Sequence, residues 1–151
     1  MLKKKLENDL KSSLRAGETL MVSVLRMLLA AITNKEIEVL KKGTGLTDEE
    51  ILEVLSRELK KRRDSAREFA KGARPDLVEK EEKEAEMILV YLPQEISDED
   101  LKRVIMDSIR ESGAKGAGDF GKVMKTAMAV LKSRASGERV SRAVKKILED
   151  V

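Results

Sequence analysis

The densest positive charge in the sequence lies in RELKKRRDS, residues 57–65, where five of the first seven side chains are lysine or arginine. Cations at this density can bind the phosphates of a nucleic acid, or they can form the solvated face of an amphipathic helix. The next segment, 76–86, carries six acids and two lysines. Because a short turn joins the two segments, we expect antiparallel helices that neutralise each other, which favours the solvated-face interpretation.

One arginine in this run does not fit a solvated face. On a helix with about 100° per residue, Arg62 lies roughly 140° from Arg57, among the apolar positions of the segment. A guanidinium group there needs a carboxylate or carbonyl partner, or it lies in a groove against another domain. Arg62 is therefore a candidate interdomain or partner contact.

The unbalanced charge lies later in the chain. Residues 1–96 contain nineteen cations and nineteen acids, so the net charge of +3 comes entirely from residues 97–151. Within them, 113–148 holds nine cations against two acids. The helix expected over 119–133 places three lysines within about 80° of one another, and the following loop and helix add further cations. The predicted nucleic-acid-binding residues are Lys122, Lys125, Lys132, Arg134 and Lys145.

This basic segment suits a phosphate backbone better than bases. Its single aromatic residue, Phe120, belongs to the predicted core, so no ring is left for the stacking by which single-stranded RNA is commonly bound. Backbone N–H groups at the start of the last helix, near Ser133 and Ser136, could donate to an anion. We expect a structured or double-helical RNA, with affinity that falls steeply as salt rises. A solubilising surface without a ligand is the alternative interpretation.

Residue types that catalysis usually requires are scarce. The sequence has no cysteine and no histidine, which excludes disulfides, thiolate chemistry and a histidine base. Serine–lysine catalysis stays formally open at Ser12 and Ser65, and the loop GAKGAGDFGK lacks the spacing of an ATP-binding phosphate loop. Glu79, Glu82 and Glu86 share one helix face, where we expect them to oppose the basic run. We assign no catalytic residue, no metal and no cofactor.

The elements that must position these side chains are helical. Only three aromatic residues and two prolines occur, so the core must consist of aliphatic side chains, most of which favour helices. Capping boxes at Thr47 and Ser97, together with breaks at glycines, predict seven helices. One of them is expected over 19–42 with Thr19 as its cap. The expected fold class is all-α.

Pro93 ends the fourth helix, and the residues after it are typical of a linker. We therefore predict an N-terminal four-helix bundle-like domain, 1–93, and a small three-helix C-terminal domain, 97–151. The longest apolar run, MLLAAI at 27–32, is too short to cross a bilayer, and the start of the chain lacks the apolar segment of a signal peptide. We expect a cytoplasmic protein without a membrane partner.

The chain resembles the GatB/YqeY family in three segments: LRMLLAAITNKEIE (25–38), LTDEEILEVLSRELKKRRDSAREFAKGARPDLVEKEEKEAEMILVYLP (46–93) and GKVMKTAMAVLKSRASGERV (121–140). It is most similar to the free-standing YqeY-like proteins. The resemblance implies a helical bundle and a small three-helix domain similar to the tail of the aspartyl/glutamyl-tRNA amidotransferase B subunit. That tail helps to hold tRNA during glutamine-dependent amidation.

The resemblance also assigns a basic motif to this chain. Where the family often has proline, glycine and aspartate, this sequence has Ala129, Ser133 and Ser136, and the loss of the glycine could restrict the turn. The motif corresponds to Gly121, Lys122, Met124, Lys125, Lys132, Arg134 and Gly137.

Three functions follow as hypotheses. The first is a tRNA-binding accessory protein, with tRNA and amidotransferase components as candidate partners and no DNA. The second is a protein-interaction module that does not bind RNA. The third is an amidotransferase or carbon–nitrogen ligase with glutamine as amido donor, as family members are often labelled. The absence of cysteine and histidine disfavours the third.

Overall fold

The computed structural model describes residues 1–41 and 43–150, and in this part of the chain there are helices and no β-strand. The all-α prediction is therefore confirmed. A short 3-10 turn, Ala117–Asp119, precedes the sixth helix. The helices are α1 (Leu2–Ala16), α2 (Thr19–Glu38), α3 (Asp48–Lys71), α4 (Pro75–Leu89), α5 (Asp98–Ser112), α6 (Phe120–Leu131) and α7 (Gly137–Glu149).

Helix α2 begins at Thr19 as predicted but differs from the prediction in its C-terminal end and in its cap residue. The helix stops at Glu38 instead of residue 42, because Leu40 has a left-handed backbone with φ of 59°, and an α-helix cannot continue through that conformation. Lys42 lies outside the described residues. Thr19 is not the cap: that position is Glu18, whose side chain makes no capping hydrogen bond.

The N-cap residues predicted for α3 and α5, Thr47 and Ser97, are confirmed. The backbone N–H of Glu50 donates to Thr47 Oγ1 at 3.2 Å, and the backbone N–H of Asp100 donates to Ser97 Oγ at 3.2 Å. Each bond satisfies one of the donors that a helix N-terminus leaves without an intrahelical partner. The N-termini of these two helices were therefore predictable from the local sequence.

The chain divides into two units, Met1–Leu92 and Pro93–Val151, and each has its own hydrophobic core. In the first unit, α2 packs against α1, α3 and α4, and its Leu28 and Ile32 are fully buried. Independent folding, which the domain assignment 1–93 and 97–151 implies, stays a prediction.

In the second unit α5, α6 and α7 pack against one another in all three pairings. Ile105 of α5, Val123 of α6 and Val140 and Val144 of α7 are fully buried. Each buried aliphatic side chain contributes on the order of 1.5–3 kcal/mol, and this burial fixes the rotation of each helix about its axis. The polar residues of the same helices must then face outward.

The loop between α6 and α7 begins earlier than the sequence predicted. The helix ends at Leu131 and not at residue 133, because Lys132 and Ser133 have φ values of 41° and 69°. Left-handed backbone is easy for glycine and costly for other residues. The expected restriction of the turn by serine at 133 is not seen: Ser133 adopts the left-handed backbone that glycine would favour.

Candidate nucleic-acid interface

The positive charge of the second unit lies on the outward faces of α6 and α7. Their inward faces are filled by the core residues, so with 3.6 residues per turn the intervening cations point away from it. A helix of twelve residues spans about 18 Å, over which these charges are spread. The exposed cations are Lys122, Lys125, Lys132, Arg134, Arg142, Lys145 and Lys146.

Lys122 and Lys125 share the outward face of α6, as predicted from their spacing. The side chain of Lys122 is 71% exposed, and its Nζ lies 3.9 Å from a carboxylate oxygen of Asp119, a distance at which the attraction is weak in water. Lys125 makes no ion pair, hydrogen bond or ring contact with any residue that the structure describes. Ala129 is exposed between these lysines and the end of the helix, so no large side chain obstructs an approaching phosphate.

Arg134 connects the loop after α6 to the segment before α5. Its backbone oxygen accepts a hydrogen bond from the N–H of Ile96 at 2.9 Å, and its Nε donates to the backbone oxygen of Gln94 at 3.4 Å. The residue is exposed, and its remaining guanidinium N–H groups can still reach an anion. Arg134 therefore positions the loop as well as adding charge to it.

Lys145 of α7 lies beside the first residue of α6. Its Nζ is 5.8 Å from the centroid of the Phe120 ring, within the range of a cation–π interaction. The Phe120 ring is partly buried against the core, so it is less enclosed than predicted, although it does pack on the core as expected. The contact links the predicted residue Lys145 to the same end of α6 that carries Lys122.

Arg142 and Lys146 belong to this surface but are absent from the set predicted from sequence. Both are exposed on α7, and neither makes a polar or ring contact with another residue among those described. Their signal in the sequence is their helical phase, opposite Val140 and Val144. Arg139 on the same helix behaves differently, because its guanidinium donates to Asp98 at 2.7 Å and is only 28% exposed.

The start of α7 is capped by its own serine. Ser136 is the N-cap, and its Oγ accepts a hydrogen bond from the backbone N–H of Arg139 at 3.2 Å. The expectation of free N–H groups at this end is therefore wrong for Arg139. Serine is among the preferred N-cap residues because its side-chain oxygen can accept from a backbone N–H of the first turn.

The outward face of α5 has a different character. A groove of about 540 Å³ lies beside it, with Met106 and Ile147 among its lining residues. Arg103 and Arg110 on its rim each pair with an aspartate three residues earlier in the same helix. Acids therefore pair with two of the cations on this face, while Lys102 of the same helix is exposed.

Arg62 lies in the first unit, between α3 and α4, and is not part of the basic surface. Its Nε is 3.0 Å from Glu84 Oε2 and 3.8 Å from Glu81 Oε2, and its terminal nitrogen is 3.7 Å from Glu58 Oε2. The expected carboxylate partner is therefore present, supplied by the helical hairpin itself. Contact of Arg62 with a further domain or protein stays a prediction.

The rest of the basic run is neutralised mainly within α3. Lys60 pairs with Asp64 at 3.0 Å, and Lys61 pairs with Glu58 at 3.1 Å. Arg67 also pairs with Asp64. Neutralisation across the hairpin, which the charge count predicted for the whole run, is carried in the described structure by Arg62.

The expectation that Glu79, Glu82 and Glu86 of α4 oppose the basic run is wrong in the described structure, where none of the three pairs with a cation of α3. Glu79 lies 3.0 Å from Lys83 of the same helix. In the ranges 1–41 and 43–150, no group of three or more acidic side chains is placed to hold a metal ion. In the same ranges, no helix is both long and apolar enough to span a membrane.

The fold and this surface define a class of protein: an all-helical chain with an aliphatic four-helix unit and a three-helix unit whose helices α6 and α7 carry exposed cations. Within that class, the chain belongs to the YqeY family, since the family model described as Yqey-like protein matches residues 3–148. The resemblance seen in the sequence motifs is therefore confirmed.

Curated relatives come from yeasts and share the name "Altered inheritance of mitochondria protein 41, mitochondrial". The protein of Clavispora lusitaniae is 36% identical over 114 residues, which cover 74% of this chain and 65% of that protein. The Lachancea thermotolerans protein is 40% identical, over 59% of this chain and 46% of the relative. The Saccharomyces cerevisiae protein is 35% identical, over 59% and 47%. The matched part of the chain thus spans about half to two thirds of these relatives.

The prediction of a cytoplasmic location is wrong by this comparison, because the names of these relatives place them in mitochondria. The prediction depended on the lack of an apolar spanning segment and of a signal peptide. Proteins of the mitochondrial interior can share both features, so neither feature distinguishes the two compartments.

Proposed function

We propose that the second unit binds the phosphate backbone of a structured RNA, and that the chain acts as a tRNA-binding accessory protein. The observation that carries this proposal is the outward surface of α6 and α7. There Lys125, Arg142 and Lys146 are exposed without a carboxylate partner among the described residues. The remaining predicted contacts, Lys122 and Lys132, lie exposed on or next to α6.

Electrostatics supports a polyanion as the ligand. Two acids stand against nine cations in 113–148, and the first of these acids, Asp119, is 3.9 Å from Lys122. A cation that neutralises a phosphate releases a condensed counterion, which makes affinity strongly salt-dependent. tRNA is the ligand that the family resemblance favours, with amidotransferase components as proposed partners. Glutamine-dependent chemistry would then belong to those partners.

The test is an equilibrium titration of tRNA with the full chain and with a variant in which Lys122, Lys125 and Lys132 are all glutamate. We expect the variant to bind about 100-fold more weakly at low salt, because three phosphate contacts become repulsive. Equal affinities for the two proteins would exclude this surface as the RNA site.

A matched control separates the site from net charge alone. The exposed cations Lys4, Lys11 and Arg15 lie on α1 in the first unit, and their replacement by glutamate changes the charge by the same amount. We expect this control to retain most of the tRNA affinity. A control that loses as much affinity as the α6 variant would indicate nonspecific attraction to the whole chain.

The protein-interaction alternative has less support. Its sequence argument depended on Arg62 needing a partner, and Glu58, Glu81 and Glu84 lie within 3.8 Å of the guanidinium. A pulldown after nuclease treatment distinguishes the two proposals. Recovery of a stoichiometric protein partner, together with no measurable tRNA binding by the pure chain, would favour the alternative.

A further inference from the structure

The basic surface offers no free aromatic ring. Phe120 is the single aromatic residue in 97–151, its ring packs partly buried on the core, and Lys145 holds its ammonium group 5.8 Å from the ring centroid. A base could stack on this ring only after the lysine moved away. The surface therefore lacks the stacking platform on which proteins bind single-stranded nucleic acids.

The cations of this surface are not equally available. Lys125, Arg142 and Lys146 are exposed and have no polar or ring partner among the residues described. In contrast, Arg139 is held by Asp98 at 2.7 Å, and Arg134 donates to the backbone oxygen of Gln94. A phosphate can bind the first group without displacing any interaction within the protein.

These two features favour one form of RNA over another. A duplex carries roughly one phosphate per 1.7 Å of axis, about twice the density of one of its strands. A protein that contacts only phosphates therefore binds a duplex more tightly than a single strand. A protein that binds single strands gains about 5- to 150-fold in affinity per stacked base, and this surface has no ring to supply that gain.

We propose that the ligand class is paired, double-helical RNA, and that Lys125, Arg142 and Lys146 make its principal phosphate contacts while Lys145 keeps Phe120 from stacking. This inference rests on the proposed function and adds the form of the RNA and the residues that bind it. Single-stranded RNA binds more weakly at the same salt concentration.

The first experiment compares a short RNA duplex with an unstructured oligouridine of the same length, each titrated with the full chain. We expect the duplex to bind about tenfold more tightly at low salt. A single strand that binds as tightly as the duplex, or more tightly, overturns the inference while leaving RNA binding intact. Failure of both RNAs to bind overturns the proposed function itself.

The second experiment measures the slope of log affinity for the duplex against log salt. Arg142→Gln and Lys146→Gln should each reduce its magnitude by about 0.9, since each removes one phosphate contact. Arg103→Gln and Arg110→Gln on α5 are the matched controls, because both arginines are exposed but paired within their helix. If the α5 variants changed the slope as much as the α7 variants, Arg142 and Lys146 would not be the principal phosphate contacts.

The third experiment tests the aromatic ring. Phe120→Leu keeps an apolar side chain on the core, and circular dichroism checks that the variant is folded. We expect its affinity for oligouridine to stay within about twofold of the parent chain, since no base stacks on the ring. A loss of fivefold or more, the smallest effect of one stacked base, would show that Phe120 does stack and would contradict the proposal.

Discussion

Nε of Arg62 in α3 lies 3.0 Å from Oε2 of Glu84 in α4, and only 15% and 10% of the two side chains is exposed. Glu58 and Glu81 lie around the same guanidinium. Taking charges out of water is costly, so a buried group of this kind is stable only while its charges are balanced. Arg62 is the most buried cation of this group, and Lys61 and Lys80 add exposed cations at Glu58 and Glu84.

Replacement of Arg62 by leucine should lower the free energy of unfolding by about 3 kcal/mol, because the Oε2 atoms of Glu81 and Glu84 would lose the guanidinium beside them. Lys61 would still lie 3.1 Å from Glu58 and Lys80 3.9 Å from Glu84. Urea denaturation at neutral pH measures the change. Arg57→Leu is the control, since Arg57 is exposed on the same helix and surface substitutions change stability by only about 0.5 kcal/mol. The double variant R62L/E84L should regain part of the loss, and equal losses in R62L and R57L would contradict the prediction.

Tyr91 is expected to stabilise the first unit through its hydroxyl group. The hydroxyl donates to Asp9 Oδ2 at 2.5 Å, which joins the end of α4 to α1. Tyr91→Phe removes this donor and should cost about 1–2 kcal/mol, measured by urea denaturation. Asp9→Asn keeps a hydrogen-bond acceptor without the charge and should cost less than Tyr91→Phe.

The same contact predicts a pH dependence. Burial, followed by the hydrogen bond and the negative charge of Asp9, raises the pKa of Tyr91 well above its ordinary value of 10.0. The unfolded chain then ionises at lower pH than the folded one, so this stability is complete below pH 10.0 and is lost as the pH rises above it. The Tyr91→Phe variant has no phenol to ionise, so it does not lose this stability at high pH. The difference in free energy of unfolding between the parent chain and the variant should therefore shrink as the pH rises above 10.0. Phenolate absorbance reports Tyr91 directly, because the chain has one tyrosine; titration at the ordinary pKa would refute the prediction.

Replacing Ser133 by glycine, the residue that the family often has there, should make the protein more stable. Its φ of 69° lies in the left-handed region, where a side chain is unfavourable and glycine is not. Ser133→Gly should therefore raise the free energy of unfolding by about 0.5–1 kcal/mol. Ser133→Ala keeps the Cβ atom and should give no gain. The prediction fails if the glycine variant melts at or below the temperature of the alanine variant.

Ser136 supports α7 through its capping bond to the N–H of Arg139. Ser136→Ala should cost about 1 kcal/mol of stability. Ser136→Asp should cost little, since aspartate is an equally good cap and its charge suits a helix N-terminus. Thermal denaturation of the three proteins provides the measurement, and equal stability of the alanine and aspartate variants would show that the cap contributes nothing.

Features that depend on residues close in sequence were predictable. The capping bonds at Thr47 and Ser97 need only a side chain and a backbone N–H three residues apart. The outward face of Lys122 and Lys125 follows from helical period and from the apolar residues between them. Arg142 and Lys146 follow the same rule on α7, so their outward position was predictable too.

Contacts between distant residues were not predictable in this way. Sequence spacing showed that Arg62 needed a partner, but the choice of Glu84 depends on how α3 and α4 are rotated about their axes when their apolar faces pack. The same holds for Lys145 over Phe120 and for Arg139 with Asp98. A count of charged residues along the sequence cannot show that the cation of each of these pairs already has a partner in the protein.

The sequence by itself determined the helical class of this protein, its family and the excess of positive charge in its last third, because composition, motif and helical period are local properties. The tertiary structure alone decided which cations remain available to a ligand. Core packing brings some carboxylates, carbonyl groups and a ring within reach of these cations and leaves others facing water, and that selection occurs only when the helices are assembled.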